Sequence, residues 1–157
     1  MSIDNLLSGL VGSLIGALFG FSAALFIEIW RVSGQRRGAL LNITSEISDN
    51  VINLRSYVLH NTPFTSISFE AWGALRYSLA AYVDLVTYNR LSSNYLALAY
   101  WDKILQAPGR RRRGWKQALN RVCDNFWAVR DRLQKDADNR YWWIPFFQVV
   151  RDENESK

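Results

Sequence analysis

A chain of 157 residues with 19 basic and 14 acidic side chains, a formal charge of +5, has room for one small domain beside any membrane segment and little more. One histidine, His60, and one cysteine, Cys123, exclude an intrachain disulfide and a zinc site of ordinary Cys/His composition, and they leave most nucleophile–base pairs without members. No P-loop or dinucleotide-type glycine pattern is present, so the expectation is a protein that is not an enzyme and uses no cofactor and no metal.

Residues 5–31 read as a transmembrane helix. From Leu6 to Trp30 no charge occurs before Glu28, and the run is long enough at about 1.5 Å per residue to cross a hydrocarbon core of about 30 Å. A secretory signal would carry a basic region ahead of a shorter apolar core, whereas Asp4 is the only charged side chain upstream, so the segment is expected to stay in the mature chain. Ser8, Gly12, Gly16, Gly20 and Ala24 recur at a spacing of four. Such a glycine zipper lets helix backbones approach closely in lipid, which predicts a homo-oligomer held through the span by right-handed crossings. Glu28 continues the row, and it either lines or braces the inner end of that assembly or sits at headgroup level. Arg31, Arg36 and Arg37 follow directly, with nothing basic before them, which places the C-terminal side in the cytoplasm and Trp30 in the inner aromatic belt.

Beyond Trp30 stand all 19 basic residues against 12 acidic ones, a formal +7 that calls for anionic partners: phosphorylated ligands, nucleic acid or the inner-membrane lipid surface. Residues 35–150 read as a cytoplasmic all-α domain, an antiparallel helical bundle, and residues 151–157 as a mobile charged tail. Leu40, Ile43, Ile47, Val51, Leu54 and Val58 set out a first amphipathic helix. Ser33-Gly34 either joins it to the span through a short break, the reading favoured here, or lets the two run on as one helix. Pro63 and the Ser/Thr residues around it supply a turn and oxygens to cap the next helix. That second helix starts near Ser68 and carries Trp72, Leu75 and Leu79. A third runs from about Leu91 to Gln106, with Ser92-Ser93-Asn94 as alternative caps and residues 84–90 as either helix or link. Ala107-Pro-Gly stops it, four arginines follow, and a last helix begins at Trp115 and fades near Asn139. In the aromatic run from Tyr141 to Phe147, Trp142 and Trp143 either close the core or rest on headgroups.

The basic loop is the candidate ligand site. Arg110, Arg111, Arg112, Arg113 and Lys116 lie in a stretch without an acid from Asp102 to Asp124, the guanidinium fork suits phosphate oxygens, and Trp115 offers a face for a base. A solvated loop or a leaflet contact are the plainer alternatives.

Arg55 and His60 match the Arg-x4-His pattern of the HEPN ribonucleases, in which such a pair cleaves RNA. On a regular helix, however, the two point about 140° apart, so joint action needs the helix to end before His60. In layout the whole chain resembles short membrane effectors of bacterial anti-phage defence. One is the type III CRISPR effector that binds cyclic tetra-adenylate; another is the type VI-B CRISPR accessory, a pore-like oligomer with a HEPN-like helical domain, which the all-helical reading fits better. The resemblance implies a single-pass protein of the bacterial inner membrane that perturbs that membrane on sensing a cyclic oligonucleotide. Two alternatives stand beside it: a membrane-tethered adaptor for a protein or nucleic acid, and a pore-forming toxin that needs no ligand.

Overall fold

The computed structural model describes residues 3–60, 62–107 and 113–139, the first six of them by backbone alone. These residues form four helices and no strand: α1 (Ile3–His60), α2 (Glu70–Tyr82), α3 (Leu85–Gln106) and α4 (Trp115–Asp138). By contacts the chain falls into two compact units that divide after Gln35.

In the first unit the apolar half of α1 is long and apolar enough to cross a membrane, and none of its most apolar window is buried. Leu10, Leu14, Leu18, Phe21 and Phe26 each leave about half or more of their surface exposed, as do their neighbours round the helix. Such a surface is unfavourable in water by about 25 cal/mol per Å² of apolar area, and it suits a helix meant for an apolar surrounding. α1 is helical without a break through Ser33 and Gly34, so the expected joint is absent. One interior glycine weakens a helix by only about 1 kcal/mol, less than its many flanking turns supply.

The second unit is built on the periodic stripe of α1. Leu40, Ile43, Ile47, Val51 and Leu54 are fully buried against Leu79 of α2, Leu91, Tyr95 and Leu98 of α3, and Leu119, Cys123, Phe126 and Leu133 of α4. Three buried polar residues of α1 fix the other helices on this stripe. The Glu46 carboxylate accepts from the Ala71 and Trp72 amides at 2.7 and 3.1 Å, from Ser68 Oγ at 3.1 Å and from Tyr95 Oη at 2.7 Å. It thus does the work of an N-cap for α2, whose own cap position is held by Phe69, which has no oxygen to offer. The expected Ser/Thr oxygen is present, Ser68 Oγ accepting from the Glu70 amide at 3.5 Å, and the carboxylate from 24 residues upstream of Glu70 adds to it where the helix dipole also favours a negative charge. Asn50 exchanges two hydrogen bonds with the Ser68 backbone, 2.8 and 2.9 Å. Arg36 closes the far ends, donating to the carbonyls of Tyr82 at 3.2 Å and Asp136 at 2.8 Å.

α3 begins six residues before the expected Leu91 because Asp84 caps it, accepting from the Thr87 amide at 2.9 Å and hydroxyl at 2.6 Å. Partial burial pushes the Asp84 carboxyl up, but the Thr87 hydrogen bonds and Arg132 outweigh it and hold the group below the usual carboxylate range. Ser92, Ser93 and Asn94 therefore lie inside the helix, and none of them caps it. α4 starts where expected, after Gly114 at φ 81°, a conformation that a side chain would strain.

Burial pushes the Cys123 thiol up to about 11, with the Arg55 charge opposing and Asp124 adding slightly. At pH 8 it should be protonated and sealed in the core, so iodoacetamide should label the folded protein at least tenfold more slowly than the chain in denaturant. Above the thiol's ordinary value of 9.0 the unfolded chain loses this proton before the folded one does, so the group's contribution to stability falls as pH rises toward 11. Fast labelling of the folded protein would contradict this burial.

Candidate anion-binding surface

The proposed ligand loop lies in the chain between the end of α3 and the start of α4. Arg110, Arg111 and Arg112 lie outside the described residues; Arg113 is exposed beside Gly114. Trp115 is half-buried, packs on the core, and sets its ring 5.9 Å from that of Tyr57. Lys116 Nζ lies 5.8 Å from the Trp115 ring centre and donates to the Val58 carbonyl at 3.2 Å, in the last turn of α1 where a cation satisfies the exposed carbonyl end. The ammonium is thus both a clasp between α1 and α4 and part of a cationic edge. Part of the Trp115 ring is committed to Tyr57, which narrows what is left for stacking.

Arg55 and His60 are not brought together. The helix stays regular to His60, which is exposed, while Arg55 pairs with Asp124 at 2.8 Å and lies 5.6 Å from the Trp127 ring centre. Arg130 approaches the same ring at 5.1 Å, so Trp127 has two guanidinium groups on it. Among the described residues no cluster of three or more His, Cys, Asp or Glu is arranged to hold a metal.

In the other unit, Gly12, Gly16 and Gly20 have nothing within 4 Å of where a Cβ would stand, and Ala24 is exposed in the same row. The side chain of Ser8 lies outside the described residues. Glu28 is bridged to Arg31 at 2.6 Å, both more than half exposed.

Sequence reading missed an aromatic groove between α2 and α3, about 350 Å³, lined by Trp72, Tyr77, Tyr88 and Tyr95 with Arg76 at its edge. Trp72 and Tyr95 stack at 4.7 Å and 8°, and the Arg76 guanidinium sits 4.7 Å from the Tyr77 ring centre. Periodicity marks Trp72 and Tyr95 as core, and only the packing of two helices shows that a groove opens beside them. Burial, followed by the hydrogen bond to Glu46, pushes the Tyr95 phenol well above its ordinary value, so it remains a donor.

No family model matches the chain, nor does any curated protein or solved structure. Among the described residues the chain is all-helical, with one long apolar N-terminal helix and two compact units.

Proposed function

We propose that this chain is a single-pass membrane protein that assembles into a homo-oligomer through its glycine row, with a cytoplasmic antiparallel bundle that senses a nucleotide signal. The observation that carries the proposal is the fully exposed apolar half of α1, with its glycines open along one row, attached to a unit that is basic overall. Lipid and a second copy of the helix would cover that surface together. Arg31 and Arg37 at its end favour the cytoplasmic orientation, and the buried Arg36 adds its charge to theirs.

The bundle reading is supported by the ties at its ends. Glu46 and Arg36 meet the start and the end of α2, and Lys116 and Asp136 meet Val58 and Arg36 from the two ends of α4, so both helices run against α1. The nucleotide reading rests on Arg113, Lys116 and the half-buried Trp115 at the same edge, with Arg110 to Arg112 adjoining in sequence. On the layout shared with anti-phage effectors, binding would change the packing of the spans and perturb the inner membrane.

A second reading, a membrane-tethered adaptor, is favoured by one observation: Tyr77, Leu85, Leu96 and Tyr100 expose more than three-fifths of their surface on α2 and α3, apolar area that a protein partner could cover. A thermal-shift series on the detergent-solubilised protein separates the two. Saturation at a hundredfold above Kd stabilises the bound form by about 2.7 kcal/mol, so a cyclic or linear oligonucleotide that binds should raise the melting temperature by several degrees. No shift with any oligonucleotide would remove the nucleotide reading and put the adaptor reading ahead of it.

A further inference from the structure

A second groove lies on the opposite flank of α3, between α3 and α4, with a volume of about 430 Å³. It falls in the range of small-molecule sites, about 300–1,000 Å³. Arg90, Ser93 and Asn94 line it from α3, Asn125 and Arg132 from α4, and Val129 is among the apolar residues of its lining. Their spacing puts each set on one face of its helix, next to the core residues Leu91, Leu98, Phe126 and Leu133.

Two features separate this groove from an ordinary solvated seam. Residues 89–94 read Asn-Arg-Leu-Ser-Ser-Asn inside a regular helix, where Ser and Asn are each several tenths of a kcal/mol worse than the Lys, Glu or Gln common on exposed helix faces. They cap nothing, since Asp84 already caps α3. The second is charge. Among the described residues no carboxylate lines the groove and none pairs with Arg90, while Arg132, also in the lining, is held at 3.2 Å by Asp84. Carboxamides both donate and accept, as a base edge or a ribose requires, and a guanidinium fork matches phosphate oxygens.

We infer that the α3–α4 groove binds a phosphorylated nucleoside, with Arg90 and Arg132 on the phosphate and Asn94 and Asn125 on the base or sugar. This rests on the nucleotide reading above and adds a second site to it. Phosphorylated inositol shares the phosphate and hydroxyl chemistry, and it differs in having no base edge.

The test is a titration of the full chain in detergent with a fluorescent ribose-labelled ATP, followed by competition with ATP, inorganic phosphate and inositol trisphosphate. Arg90→Glu should weaken binding at least tenfold at unchanged melting temperature, because Arg90 is exposed and pairs with no described carboxylate. Asn125→Ala should weaken it severalfold and narrow the preference for ATP over inorganic phosphate. Lys103→Glu, a charge reversal at an exposed residue of α3 that does not line the groove, should leave binding within about threefold. If Arg111→Glu with Arg112→Glu abolishes binding while Arg90→Glu does not, the groove assignment is overturned and the nucleotide reading survives. Competition by inositol trisphosphate as strong as that by ATP would overturn the nucleoside assignment and point to a lipid headgroup. An absence of any binding to the wild-type chain would overturn the groove assignment, while the oligonucleotide reading stands or falls with the thermal-shift series.

Discussion

Replacing Glu46 with Ala should lower the melting temperature of the helical unit by about 15 °C or more. The buried carboxylate accepts two amides at the start of α2, the Ser68 hydroxyl and the Tyr95 hydroxyl. A hydrogen bond to a charged group contributes about 1.5–3 kcal/mol, and each buried donor left without an acceptor costs about 1–3 kcal/mol. Shared relaxation keeps these from adding, so about 4 kcal/mol is expected, a large part of the about 5–15 kcal/mol that holds a domain folded. For a unit of this size each kcal/mol moves the midpoint by about 4 °C. Tyr95→Phe keeps the ring stacked on Trp72 and loses one of the four bonds, so its effect should be about a third as large. Thermal melts followed by circular dichroism at 222 nm read both. A Glu46→Ala midpoint within about 3 °C of wild type would mean that Glu46 does not hold α2 in place.

The largest expected effect on binding lies in the loop. Arg111→Glu together with Arg112→Glu reverses charge in the basic run without touching a position that helical periodicity marks as core. Two charged hydrogen bonds to phosphate, at about 1.5–3 kcal/mol each, and the added repulsion should weaken oligonucleotide binding at least about a hundredfold, with little change in melting temperature. Raising salt should weaken the wild type in the same direction. Trp115→Ala carries a different signature, because the ring packs on the core and on Tyr57: the melting temperature should fall along with the affinity. Unchanged affinity in the charge-reversed protein would remove the loop from the site.

What the chain revealed in advance follows the range of the interactions involved. The stripe of Leu40, Ile43, Ile47, Val51, Leu54 and Val58 is legible because a helix buries one face, and α4 ends within a residue of its expected limit because its polar and apolar faces are sharply divided. α3 was harder to delimit, since its apolar residues surround it and its cap, Asp84, lies in a stretch with no periodicity of its own. Glu46 and Asn50 read as the polar side of an amphipathic helix; their partners are 18 to 49 residues away, and no local rule reaches that far. A signal was nevertheless present: each stands three residues after a core position, Ile43 and Ile47, at the margin of the stripe where a polar group is only half in water. Arg36 was read as a topological charge alone, yet it is buried and joins α2 to α4. Of the candidate site, Trp115 and Lys116 were found by composition, but their ties to Tyr57 and Val58 depend on where α1 ends.

Self-association through the glycine row is the central claim, and oxidative crosslinking of single cysteines in native membranes tests it most directly. The native Cys123 is buried and its thiol is pushed up to about 11, so the background should be low. Cysteine placed in turn at Gly12, Gly16 and Gly20 should give strong covalent dimers, and at Leu14 and Leu18, off the row, weak ones. Gly16→Leu in the Gly12 and Gly20 cysteine variants should remove most of that dimer by holding the backbones apart. Equal crosslinking on and off the row, or none at any position, would contradict assembly through these glycines.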